Sequence, residues 1–179
     1  MAALPNLITV DEFRQLPERG EYTYELHSGE VVAMTRPSAG HWNLQHRLMD
    51  LLRTKVADFG IVGVEFPYRA APEFELRAAD VAVVSRARVR ATDDDDNLRG
   101  APELVVEVIS PSNTKSRLRE MVSLCLNSGA LECWLVDKHK ASVTVVRKNG
   151  VTAVYQPGSE IPLDAFGADS LAVAEIFAD

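Results

Sequence analysis

The stretch Glu103-Leu104-Val105-Val106-Glu107-Val108-Ile109-Ser110-Pro111-Ser112 decides how this chain folds. Its apolar residues run without alternation and are mostly β-branched, the composition of a strand buried on both faces of a sheet. Glu107 interrupts the run, and a carboxylate there needs compensation for the water it loses. Pro111 ends the strand, and Asn113 is a suitable cap for a following helix. A second run, Ala79-Asp80-Val81-Ala82-Val83-Val84, repeats the arrangement with Asp80 at its entrance. Two carboxylates on neighbouring core strands, pointing the same way, would make an oxygen cage for a hard cation such as Mg²⁺. The same residues also allow a plainer arrangement, in which Asp80 only opens its strand and Glu107 meets an arginine.

Upstream of the second run, Thr9-Val10-Asp11-Glu12 is a capping box that starts a short helix, with Phe13 and Leu16 inward and Pro17 at its end. Tyr22 to Leu26 and Glu30 to Met34 read as two strands around the turn His27-Ser28-Gly29. Glu25 lies in the first, where alternation puts it on the face opposite Tyr24 and Leu26. Pro37-Ser38-Ala39-Gly40 leads into the longest helix, whose buried stripe is Leu44, Leu48, Leu51, Leu52 and Val56. His41 lies one turn before that stripe. Residues 60 to 71 are extended, and Pro67 within them suits an edge or a bulge. Glu65 reads as a surface residue. The polar, acidic stretch from Ser85 to Gly100 reads as a mobile loop joining the two core strands.

Downstream, Leu118, Met121, Val122 and Cys125 follow helical spacing, so Met121 faces inward. Gly129 ends that helix. Leu131 to Val136 and Ser142 to Arg147 are strands, and Asn149-Gly150 is a strong hairpin signal before Val151 to Tyr155. The chain closes on an apolar pattern of Leu171, Val173, Ile176 and Phe177. Helices separate some strands and tight turns join others, so the expected architecture is α/β (α+β), a mixed central sheet flanked by helices with C-terminal β-hairpins.

The 179 residues suit one domain, 1–179, with a single sheet-and-helix core. No apolar run approaches the ~20 residues that span a bilayer, and the first residues lack the features of a signal peptide. Cys125 and Cys133 have neither metal-ligand nor disulfide spacing, which fits reduced thiols and a cytoplasmic location. A net charge of −7 argues against a general nucleic-acid binder. The candidate basic rim is Arg69, Arg77, Arg86, Arg88, Arg90 and Arg99. Arg86, Arg88 and Arg90 would share a face in extended chain, but the Asp93–Asp96 run follows at once and reads as part of a solvated loop.

Several blocks in order, LITVDEFRQLPE, YELHSGEVVAM, PSAGH, ADVAVVS, GAPELVVEVISPSN and SGALECWLVD, span the chain from Leu7 onward. By these blocks the chain resembles the bacterial Uma-type restriction-endonuclease family of the PD-(D/E)XK nuclease superfamily. The resemblance implies a restriction-endonuclease-like fold, a homodimer, and Mg²⁺-dependent hydrolysis of DNA phosphodiesters, with Mn²⁺ as a substitute ion. It implies that Asp80 and Glu107 hold the metal, with Glu25 and the backbone carbonyl of Val108, and that His41 and Arg77 meet the substrate. The family usually carries lysine at position 121 and aspartate at position 117, where this chain has Met121 and Arg117. The superfamily's other lysine site, two residues after the glutamate, is Ile109. Lys115 is the nearest replacement in sequence, and so the catalytic candidate. The competing expectation is an inactive member that keeps the fold for binding or assembly.

Overall fold

The computed structural model describes residues 7–17, 22–111 and 113–178. Ser112 and Glu18, which belong to stretches quoted above, lie outside them. The β-branched runs become the centre of a seven-stranded sheet. Its strands are β3 (Gly60–Arg69), β4 (Arg77–Ser85), β5 (Leu98–Arg99), β6 (Leu104–Val108), β7 (Glu132–Asp137), β8 (Ser142–Arg147) and β9 (Thr152–Tyr155). They lie in the order β5-β3-β4-β6-β7-β8-β9. Only β3 with β5 and β6 with β7 run parallel, which makes the sheet mixed as expected. Pro67 sits beyond the reach of the two-residue β5, on what is locally an edge. Where β3 enters against β4, a Cβ on Gly60 would lie 2.1 Å from the Val84 carbonyl oxygen, so the close approach requires glycine.

Both faces of β4 and β6 are covered, which is why their apolar runs do not alternate. On one face lies α2 (Ala39–Lys55), started by Ser38, whose side chain accepts from the His41 amide. Its Leu44, Leu48 and Leu52, with Val56, pack on Val81, Val83, Val106, Val108 and Trp134. Leu48 is fully buried, and truncating it to alanine would cost about 2–5 kcal/mol. The C-terminal β10 (Glu160–Pro162), β11 (Ser170–Ala172) and α5 (Val173–Ile176) close the same face through Ile161, Leu171, Val173 and Ile176. On the other face, α4 (Lys115–Asn127) lays Cys125, Met121 and Val122 over Tyr68, Ala82, Val105 and Cys133. The hairpin of β1 (Thr23–His27) and β2 (Glu30–Met34) docks on the start of β4 through a two-way Leu26–Leu76 backbone bridge of 2.9 and 3.0 Å. No described helix is long and apolar enough to cross a membrane.

Several local expectations need correction. Residues 86–91 form a helix, α3 (Arg86–Ala91), so Arg86, Arg88 and Arg90 do not share the face of an extended chain. At the far end of the supposed mobile loop, Leu98–Arg99 pairs with β3 as β5. It is held there because Asp96 meets Arg14, Arg69 and Arg99 at 3.6, 3.0 and 3.0 Å, so the acidic run neutralises basic neighbours. The cap of α4 is Thr114, accepting from the Arg117 amide, while the Asn113 side chain turns back to Ser110. In α1 (Val10–Phe13) the buried residue is Val10, and Leu16 is exposed.

Candidate active site

The sheet itself brings Asp80 and Glu107 together. β4 and β6 pair antiparallel from Val83↔Leu104 to Val81↔Val106. One step further, the register would set Asp80 opposite Glu107, close enough for the charge of Asp80 to act on the Glu107 carboxyl. The backbone ladder stops there. Ile109 donates its amide to Val136 on β7, so by strand alternation the Val108 amide turns towards β4. It finds the Asp80 carboxylate, donating to Oδ2 at 2.6 Å. A side chain therefore completes the ladder in place of a carbonyl.

The other oxygen of Asp80 faces α2. Gln45 Nε2 donates to Oδ1 at 2.8 Å, and His41 Nε2 lies 3.1 Å from it. His41 and Gln45 are four residues apart, one above the other on the helix. Gln45 is almost wholly buried among leucines, where an unpaired amide would be costly. Its Nε2 has a second acceptor, Glu65 Oε1, at 2.5 Å. Glu65 is exposed as the sequence implied, yet it belongs to this cluster. Its φ of +48° is uncommon for a residue other than glycine, and the β3–β4 register skips it, passing from Val64↔Val81 to Phe66↔Ala79. Such departures concentrate at functional sites.

Charges make the cluster lopsided. The pKa of half-buried Glu107 is raised well above the ordinary carboxylate range, first by burial and then by the charges of Asp80, Cys125, Glu25 and Glu65. His41 is raised by its hydrogen bond to Asp80; burial opposes this, and the charges of Asp80 and Glu65 reinforce it. The carboxylates of the site thus favour the charged form of His41.

The remaining candidates divide. Glu25 reaches the neighbourhood, but its oxygens are engaged, Oε1 by the Ala78 amide at 3.1 Å and Oε2 by His27 Nε2 at 2.6 Å. Arg77 opens β4, and its Nε donates to Glu75 Oε2 at 2.7 Å. Burial works against its charge, but Glu75, Tyr68 and Glu25 more than offset that and leave its pKa raised. The buried Arg77 Nη2 has no partner among the described residues. Lys115 is exposed at the first position of α4, and no hydrogen bond or ion pair ties it to Asp80 or Glu107. Met121 is half-buried on the inner face of α4, where its Sδ lies 3.6 Å from Cys125 Sγ. Cys125 in turn lies 3.2 Å from Tyr68 Oη, and both cysteines are buried free thiols.

The sequence reading placed neither Gln45 nor Glu65 in the site. A glutamine in a leucine stripe, one turn after His41, was the available signal for the first. Nothing local marks the second, because its role comes from the interrupted register. Among the described residues, no three His, Cys, Asp or Glu side chains form a group that could hold a metal ion. The hard oxygen donors are present, but Gln45 Nε2 occupies the position between Asp80 and Glu65.

Comparison with known proteins adds two findings. The family model "Uma2: Putative restriction endonuclease" matches residues 10–174. A crystal structure described as a "putative nuclease belonging to DUF820", from Anabaena variabilis ATCC 29413, superposes with a TM-score of 0.80. It is 22% identical in sequence, over 96% of this chain and 98% of that one, and so shows the shared fold. No curated protein matches the chain.

Proposed function

Since the chain belongs to the Uma2 restriction-endonuclease family, we propose that it hydrolyses phosphodiester bonds in DNA with a divalent cation, Mg²⁺ or Mn²⁺. The observation that carries this reading is the pairing of Asp80 with Glu107 at the end of the β4–β6 ladder, inside the field of Glu25 and Glu65. The donor chemistry fits a hard cation, because carboxylates that raise one another's pKa are relieved by positive charge. Asp80 and Glu107 would hold the ion, with the Val108 carbonyl in reserve. Glu65 replaces Glu25 as the third carboxylate, since it shares the Gln45 amide with Asp80. A bound cation supplies Lewis acidity and lowers the pKa of water.

The protein's own groups have separate tasks. Protonated His41, held by Asp80, can donate to a phosphate oxygen. Gln45 fixes the direction of Asp80 and Glu65 from inside the core. Arg77, bonded to Glu75 and largely buried, acts on the field of the site rather than by gripping the substrate. No hydrogen bond or ion pair ties Lys115 to the carboxylates and position 121 is methionine, so neither of these positions supplies a lysine to orient water. Cleavage is therefore slow. The homodimer implied by the family belongs to the same proposal.

The second reading is an inactive member that keeps the fold for binding or assembly. Two observations favour it: methionine at position 121 and the absence of a ready-made metal group among the described residues. The deciding experiment compares wild type, Met121→Lys, Lys115→Ala and Asp80→Asn on single- and double-stranded DNA, with Mg²⁺, Mn²⁺ or EDTA. The nuclease reading expects weak metal-dependent cleavage, abolished in Asp80→Asn and unchanged in Lys115→Ala. Met121→Lys should gain about 10²–10⁴-fold, the usual worth of a positioning or acid–base group. No cleavage by any variant on any substrate would leave the binding reading in possession.

A further inference from the structure

The same end of α2 carries an aromatic feature that the hydrolytic site does not use. Trp42 is 51% exposed, an unusual position for the largest apolar side chain. Its ring packs on His46, with centroids 3.8 Å apart and planes inclined by 32°. His46 is fixed in turn, its Nδ1 lying 2.9 Å from the Trp42 carbonyl oxygen. Trp42 and His46 form a row four residues apart, next to the row of His41 and Gln45 that holds Asp80. The two rows differ by one residue, about 100° around the helix. Across the His41–Gln45 row from this pair is Lys138, whose Nζ would be 2.7 Å from a Cβ on Gly40, about 200° around the helix from Trp42. Glycine at position 40 thus leaves room for an ammonium group at the mouth of the site.

We propose that the Trp42–His46 pair, with Lys138 across the His41–Gln45 row, is a stacking platform for an unpaired nucleobase, so that the site takes single-stranded or frayed DNA. The inference rests on the nuclease reading for the class of ligand. It names the strandedness that the carboxylates alone do not. An exposed indole backed by a fixed imidazole presents one broad face, and every base has a complementary face. Binding led by duplex phosphates has little to work with. Arg69, Arg77, Arg88 and Arg99 are paired with carboxylates of this same chain, and Arg86 and Arg90 donate to its backbone carbonyls. These six arginines are therefore engaged within the chain, and the net charge of −7 works against binding led by duplex phosphates. Stacking on Trp42 suits this surface better.

The test uses binding, in EDTA, so it does not depend on turnover. Trp134 is fully buried and its Nε1 bonds Glu132, so emission open to a stacked base comes from Trp42. The protein is titrated with a short oligothymidylate and with a blunt duplex of equal length, following tryptophan emission and the anisotropy of labelled DNA. The expected result is quenching by the single strand and much weaker binding of the duplex. Trp42→Ala should lose about five- to a hundredfold in affinity, and Trp42→Phe should keep most of it. Lys138→Ala should flatten the log–log salt dependence by about 0.7, one single-strand phosphate contact. Equal binding of the two DNAs with unchanged emission, wild-type affinity in Trp42→Ala, or no binding at all overturns the proposal. Trp42-dependent binding without cleavage under any metal condition would sink the nuclease reading and leave the platform standing. Cleavage of blunt duplex indifferent to Trp42→Ala would do the reverse.

Discussion

Replacing Glu107 with glutamine should make the fold more stable at neutral pH, by a margin that grows with pH. The native environment opposes ionisation of Glu107 through burial and through the charges of Asp80, Cys125, Glu25 and Glu65. The unfolded chain has no such environment, and there the carboxyl ionises near its ordinary value of 4.5. Between that value and the raised native one, the folded state keeps a proton that the unfolded state has released. Folding therefore takes up a proton, and wild-type stability falls as pH rises, by about 1.4 kcal/mol per unit. Glutamine has nearly the same shape and does not titrate, so that loss is absent from Glu107→Gln. The difference between the two proteins should be constant below about pH 4, grow by about 1.4 kcal/mol near pH 5.5, and widen at the same slope until native Glu107 ionises. Other carboxyls titrate in both proteins and largely cancel. Urea unfolding of both, in EDTA, at half-unit steps from pH 4 to pH 8 measures it directly. A gap that stays constant over the whole range would show that Glu107 ionises normally, and the argument from its neighbours would be wrong.

Two further outcomes follow from the same charges. Mn²⁺ at a hundredfold excess over its dissociation constant should stabilise the wild type by about 2.7 kcal/mol and leave Glu107→Gln and Asp80→Asn unmoved; equal thermal shifts in all three would place the ion elsewhere. His41 should titrate above its ordinary 6.5 in the wild type and fall back in Asp80→Asn, because the hydrogen bond to Asp80 is the main cause of the rise. Its charged form stabilises the fold fully below 6.5, and that contribution fades as pH rises through the native value. Imidazole resonances followed by NMR check this, and identical titrations in the two proteins would remove Asp80 as the cause.

The sequence by itself determined the central strands, the two principal helices and the Asn149-Gly150 hairpin, and it singled out Asp80 and Glu107. Those features rest on local periodicity and on contrast, a carboxylate standing out in an unbroken β-branched run. It did not determine that residues 86–91 coil into a helix, because alternating arginines suit an exposed helix as well as an extended strand. Tertiary structure alone decided that Gln45 bridges Asp80 and Glu65. It also decided that the arginine rim is engaged within the chain, leaving Trp42 and Lys138 at the mouth of the site. The physical reason is range. Hydrophobic periodicity is written in neighbouring residues, whereas the partner of a polar group is set by the register and termination of strands far away in the chain.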